Sequence, residues 1–202
     1  LYDAKGKGAL IDLRAEGVEG AISRTQALLQ SAQPIFEAGF CAEGARAFAD
    51  VMLPVRRSGR PMWRMVEVKS STSVKDYHRD DVATQAFIAR SAGVPLAAIA
   101  LAHIDKSWVY PGGDDYAGLL VENDLTRDAF GRSDEVRGWI ARAQQVVAKK
   151  REPRMATGAQ CSRPYELRFP RPLPEWRAAG RPSDSLVAGQ IVRETCSVHR
   201  GP

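Results

Sequence analysis

Cysteine is scarce in this 202-residue chain, and Cys41, Cys161 and Cys196 are odd in number, widely separated and free of any C-x-x-C pair. That pattern excludes a disulfide framework and a sequence-evident zinc site, and isolated, reduced thiols are expected. Long apolar runs are missing too. None approaches the ~20 residues that cross a bilayer, and the opening LYDAKGKGAL shows no apolar stretch behind a basic one. The expectation is a cytoplasmic protein without a membrane partner. Its first residue is leucine, which points to a sequence that starts inside a longer one. A strong charge of either sign is absent from most of the chain: residues 1–152 carry 21 basic and 20 acidic side chains, and 153–202 carry 8 and 4. Such a balance favours nucleic acid only weakly, although a basic tail can hold phosphate electrostatically.

What is present is ordinary globular material, 44% hydrophobic and 26% charged, enough for one core. Over 15–31, Val18, Ala21, Ile22, Thr25, Leu28 and Leu29 recur at the spacing of one helical face. Strands are expected at IFEAGFC (35–41), ARAFADVML (45–53) and WRMVEVK (63–69), with a turn at 42–44 and a loop at RRSGRP. A helix starts near Asp80 and closes at Gly93 and Pro95. PLAAIALAHI then reads as a strand buried on both faces, which calls for a sheet covered by helices. Short strands at SWVY and GLLVE and a helix over 133–150 complete the series. The fold class is therefore α/β, a mixed sheet flanked by helices around an α-β-β-β-α-β core. Seven of the twelve prolines fall after residue 152, so 153–202 is expected as a Pro/Arg-rich, loosely ordered tail beside a folded domain over 1–152.

The chemistry is concentrated in FADVMLPVRRSGRPMWRMVEVKSS, 48–71. Alternation puts Met65, Glu67 and Lys69 on one side of their strand and Arg64, Val66 and Val68 on the other. Pairing with the preceding strand would bring Asp50 to the same place. Asp50 and Glu67 supply what Mg²⁺ or Mn²⁺ needs, with the Val68 carbonyl as a further ligand, and Lys69 suits a phosphoryl transition state. A solvent-facing hairpin with a Glu/Lys pair shows the same bare pattern. The apolar neighbours of both acids argue against it, because an unpaired buried carboxylate costs several kcal/mol. Gln85, on the following helix, could orient water or phosphate or simply face solvent. Ser70, Ser71, Lys75, His78 and Arg79, read as loop residues, are candidate phosphate contacts or plain surface charge. His103 and Asp105 end a buried strand and are read as structural. Trp108 and Tyr110 suit core packing better than base stacking.

FADVM, MVEVKSS and DVATQ, in that element order, resemble the PD-(D/E)XK nuclease superfamily, in its RecB-like branch with the CRISPR-adaptation exonucleases. VEVKSSTSVKDYHRDDVATQAFIARSAGVPLAAIALAHIDKSWVYPGG is similar to a bacterial domain family of unknown function built on that core. The similarity spans residues 1–165 and is strongest over 48–126. It implies a restriction-endonuclease-like fold and a Mg²⁺- or Mn²⁺-dependent deoxyribonuclease with DNA as partner. By the resemblance, Asp50 and Glu67 are the metal-binding acids, Lys69 the catalytic lysine and Gln85 the helix-motif glutamine. A catalytically inactive nucleic-acid-binding or assembly module is the alternative. The chain departs from the pattern in three places. Ala89 stands where an aromatic residue is usual. The N-terminal motif has no clear counterpart, with Glu16, Glu19 and Glu37 as candidate substitutes or, more in keeping with their type, surface acids. CSRPYELRF has Leu167 where a second cysteine would continue an iron-sulfur segment. With three cysteines in all, an iron-sulfur cluster is not expected.

Overall fold

The computed structural model describes residues 2, 3 and 5–153; the expected tail lies outside the described residues. Contacts divide the chain into two units: Leu1–Ile140, which holds the sheet, and Ala141–Pro202, which takes in the end of the last helix. The elements are β1 (Ala9–Leu10), α1 (Leu13–Leu28), β2 (Ile35–Ala42), β3 (Ala45–Arg57), β4 (Arg60–Lys69), α2 (Asp76–Ser91), β5 (Leu96–Ile104), β6 (Leu120–Asp124), α3 (Thr126–Gly131) and α4 (Ser133–Val147). They build one six-stranded sheet in the order β1-β2-β3-β4-β5-β6. The β1/β2 and β4/β5 pairs are parallel, and the other three are antiparallel. Helices flank this mixed sheet, so the α/β expectation holds, and α1-β2-β3-β4-α2-β5 reproduces the expected core order.

Apolar alternation explains the sheet. Trp63 and Met65 of β4 enter the main core with Val82, Ala83 and Ala86 of α2, while Val66 joins Val51, Ala100 and Ala102 in a second cluster. β5 contributes to both, which is why its sequence is apolar throughout. α1 begins at Asp12, whose carboxylate accepts from the Arg14 and Ala15 N–H groups, a regular N-cap. It docks on β2 through buried Thr25, whose hydroxyl donates to Ala21 O (2.8 Å) and accepts from Gly39 N (2.9 Å). Gly39 allows the close approach: a Cβ there would lie 2.9 Å from a Phe48 ring carbon.

Several expectations need correction. RRSGRP is not a loop. β3 runs to Arg57 and β4 starts at Arg60, joined by Ser58 and Gly59, both at positive φ (50° and 76°), as a tight hairpin turn requires. SWVY forms no strand; Trp108, Tyr110 and Tyr116 instead stack on one another in the β5–β6 connection. α2 starts four residues before Asp80, so Asp76–Arg79 are its first turn rather than loop. Cys161 and Cys196 lie outside the described residues. No helix among the described residues is long and apolar enough to cross a membrane.

One irregularity shapes the site. Ile35 and Ala38 of β2 both enter the main core, as do Met52 and Ala49 of β3, each pair three residues apart instead of two or four. The alternation therefore slips by one residue on both strands. The pairing passes from Phe36↔Val51 to Ala38↔Ala49, stepping over Glu37 and Asp50, and Glu37 has φ = 59°. Because both strands slip together, their register survives.

Candidate functional site

Asp50 stands where β3 and β4 part. Their pairing runs from Arg57↔Arg60 back to Val51↔Val66 and there ends. Beyond it, Glu67, Val68 and Lys69 pair only with Leu101, Ala102 and His103 of β5. The Val68 N–H, freed from β3 backbone, donates to Asp50 Oδ2 at 2.7 Å. Thus Asp50 props open a fork in the sheet, lined by the end of β4 and by Asp81 and Gln85 of α2.

Glu67 is buried inside this fork, 5% exposed. Its Oε1 accepts from Lys69 Nζ at 2.6 Å, whereas Oε2 is buried with no hydrogen-bond partner. Burial pushes its carboxyl up to about 7; neighbouring Asp50 adds to the rise, and Lys69 and Gln85 oppose it. Lys69 bridges two acids, Glu67 on its own strand and Asp81 on α2. Burial alone would lower its ammonium, but the hydrogen bonds to Asp81 and Glu67 prevail and raise it. Gln85 is buried one turn after Asp81, donates weakly to it (Nε2 to Oδ1, 3.4 Å) and leaves its own Oε1 without a partner. Two orphaned oxygens in one fork are uncommon, since nearly all buried polar atoms are paired.

The fold therefore brings together Asp50, Glu67, Lys69 and Gln85, with Val68 entering through its N–H. Its side chain packs on the second core cluster. The candidate phosphate contacts are scattered. Ser70 and Lys75 are exposed; Ser71 is half-buried, its hydroxyl donating to Ser73 O at 2.9 Å. His78 is a correction. As part of the first turn of α2 its ring is buried, packed edge-on against Tyr77 and accepting the Lys75 N–H on Nδ1, so it offers no surface to a phosphate. Burial also lowers its pKa, with Lys69 adding to the effect. Arg79 is held by Asp128 at 3.1 Å.

Sequence reasoning misses Asp81 and gives Glu37 only as a surface acid or a substitute for the N-terminal motif. Asp81, which anchors Lys69, carries a readable signal, because it precedes Gln85 by one helical turn. Glu37 does not: only the β2/β3 register sets it opposite Asp50, where burial first and the Asp50 charge second raise its pKa.

A divalent cation would find suitable oxygens here. Asp50 has one carboxylate oxygen beyond its bond to Val68, and Glu67 Oε2 and Gln85 Oε1 are unmet. These are hard oxygen donors of the kind Mg²⁺ takes together with water and phosphate. Among the described residues, no cluster of three or more His, Cys, Asp or Glu side chains is arranged as a full ligand cage. No protein-family model matches the chain, and no curated protein matches it.

Proposed function

We propose that the fork between β3 and β4 is the centre of a metal-dependent nuclease that hydrolyses phosphodiester bonds in DNA. One observation carries this reading: a buried Glu67 with an unmet oxygen lies beside Asp50, Lys69 and an unmet Gln85 oxygen. Asp50 and Glu67 would hold Mg²⁺ or Mn²⁺, which supplies charge neutralisation and a more acidic water when bound. Lys69, fixed between Glu67 and Asp81, presents a positively charged donor to a phosphoryl oxygen or to the attacking water. Asp81 and Gln85 fix the geometry. Ser70 and Lys75 lie exposed just past the end of β4, where they can meet a backbone phosphate.

The test is cleavage of linear DNA with Mg²⁺ or Mn²⁺ against chelator. Wild-type protein degrades DNA only with the ion, and Asp50→Ala or Lys69→Ala lowers the rate by at least ~100-fold, the order expected when an electrostatic contributor is removed. Metal-dependent cleavage that survives in both variants rules the assignment out. A second reading has its own support. Lys69 is engaged by two carboxylates and no complete ligand cage is arranged among the described residues, as in a nucleic-acid-binding module with a nuclease-like fold. DNA binding unaffected by Asp50→Ala, without cleavage, would favour it.

A further inference from the structure

The β3/β4 hairpin outruns the sheet. Beyond Met52, β3 has no partner on the β2 side, and before Trp63, β4 has none on the β5 side. Residues 53–62 thus form a two-stranded arm, and Arg56, Arg57 and Arg60 crowd its tip. Arg57 and Arg60 are cross-strand partners. Like charges directly opposite each other are destabilising, yet none of these arginines has a carboxylate partner among the described residues. Two of them contact carbonyls instead: Arg56 Nη1 donates to Gly59 O at 3.1 Å and Arg57 Nη1 to Ala97 O at 3.4 Å. Of the other described arginines, six pair with acids and five do not; at the tip, three without a carboxylate partner fall within one hairpin turn. Lys5 and Lys7 add to that end of the sheet. They line a cleft with Asp3 and with Pro34, the residue before Ile35, and Ile35 pairs with Met52 at the base of the arm.

We propose that this arm grips the phosphate backbone of DNA away from the bond being cut. It deepens the hydrolytic reading and rests on that reading for the choice of polyanion. The seven steps along β3 from Asp50 to Arg57, at ~3.3 Å per residue, set the tip roughly 20 Å from the fork. DNA spans that distance in about six base pairs at ~3.4 Å each. Guanidinium groups suit phosphate through their paired donors. The arm therefore selects for length: a substrate must extend well past the reacting phosphate to reach both places.

The experiment is binding of fluorescent 30-base-pair DNA in chelator, titrated with salt, for wild type and the triple variant Arg56→Gln/Arg57→Gln/Arg60→Gln. Each lost phosphate contact removes ~0.9 from the log–log salt slope. The glutamine variant is expected to bind this DNA ~10-fold more weakly or worse, with a slope shallower by about two to three. The triple lysine variant keeps the wild-type slope, which separates charge from hairpin folding. An unchanged slope in the glutamine variant overturns the proposal, as does a loss confined to vesicles of phosphatidylcholine and phosphatidylserine while DNA binding persists. Because no cleavage is read, arm-dependent binding in a protein that fails to hydrolyse DNA with Mg²⁺ supports the arm and removes only the hydrolytic reading.

Discussion

Glu67 is under opposing demands: β4 places it in the interior, where a carboxylate is poorly solvated, and Lys69 offsets only one of its oxygens. The consequence is a pH dependence. Its carboxyl titrates near 4.5 in an unfolded chain and at about 7 in the folded one, so the native state holds the proton more tightly. The resulting stabilisation is complete below the unfolded value and is lost as pH rises through the folded one, up to about 3 kcal/mol in all. Urea unfolding in chelator should therefore show wild type losing stability between pH 5 and pH 8 relative to Glu67→Gln, whose amide does not titrate. Parallel profiles for the two proteins would disprove it. Asp50, Glu67 and Lys69 were readable in the sequence because each interrupts an apolar run, where charge is expensive. Asp81 sits on the half-buried flank of a helix, marked only by its place one turn before Gln85, and Glu37 breaks the apolar run of β2 at an exposed position, where only tertiary placement sets it opposite Asp50. His78 misled for a related reason: in a polar stretch it looks like surface, but the early start of α2 turns it inward.

Among the elements, the longer strands and helices were largely legible, because two strand repeats or two helical turns suffice to show a period. β1 and α3, two and six residues long, carry no such period and were missed. The hairpin turn was obscured by its arginines, which suggested solvent when the decisive feature was Ser-Gly, a pair able to take positive φ. Thr25 shows what periodicity conceals. On the helical face it counts as one more small core residue; in the fold its hydroxyl is the acceptor for the Gly39 N–H and joins α1 to β2. Thr25→Val keeps the shape and strands that N–H, so a loss of about 1–3 kcal/mol is expected by urea denaturation. Thr25→Ser, which keeps the oxygen, should lose clearly less. Equal losses would mean that the methyl group, not the hydrogen bond, matters there.

For the whole molecule, β4 and α2 carry unmet oxygens at the fork and the β3/β4 hairpin carries arginines without acids at its tip, and these are separate liabilities for the unliganded protein. A ligand that relieves one should stabilise the fold. Mg²⁺ or Mn²⁺ at about 100 times its dissociation constant contributes ~2.7 kcal/mol. In a domain of this size that is a rise in Tm of roughly 5–10 °C, measurable by differential scanning fluorimetry. The rise should be absent from Asp50→Ala and larger at pH 8 than at pH 6, since Glu67 must ionise to take a cation. Equal shifts in wild type and Asp50→Ala would place the ion elsewhere.

The paired slips at Glu37 and Asp50 have a consequence for how this sheet can vary. Deleting Glu37 alone would leave Ile35 and Ala38 two apart on one face but shift the rest of β2 by one residue against an unaltered β3; deleting Asp50 alone would do the same to the other strand. Only a matched double deletion restores the weave, and it would do so by erasing the carboxylate that holds the fork apart. Sequence drift at these two positions is therefore confined to exchange of side chains, with length fixed by the neighbour.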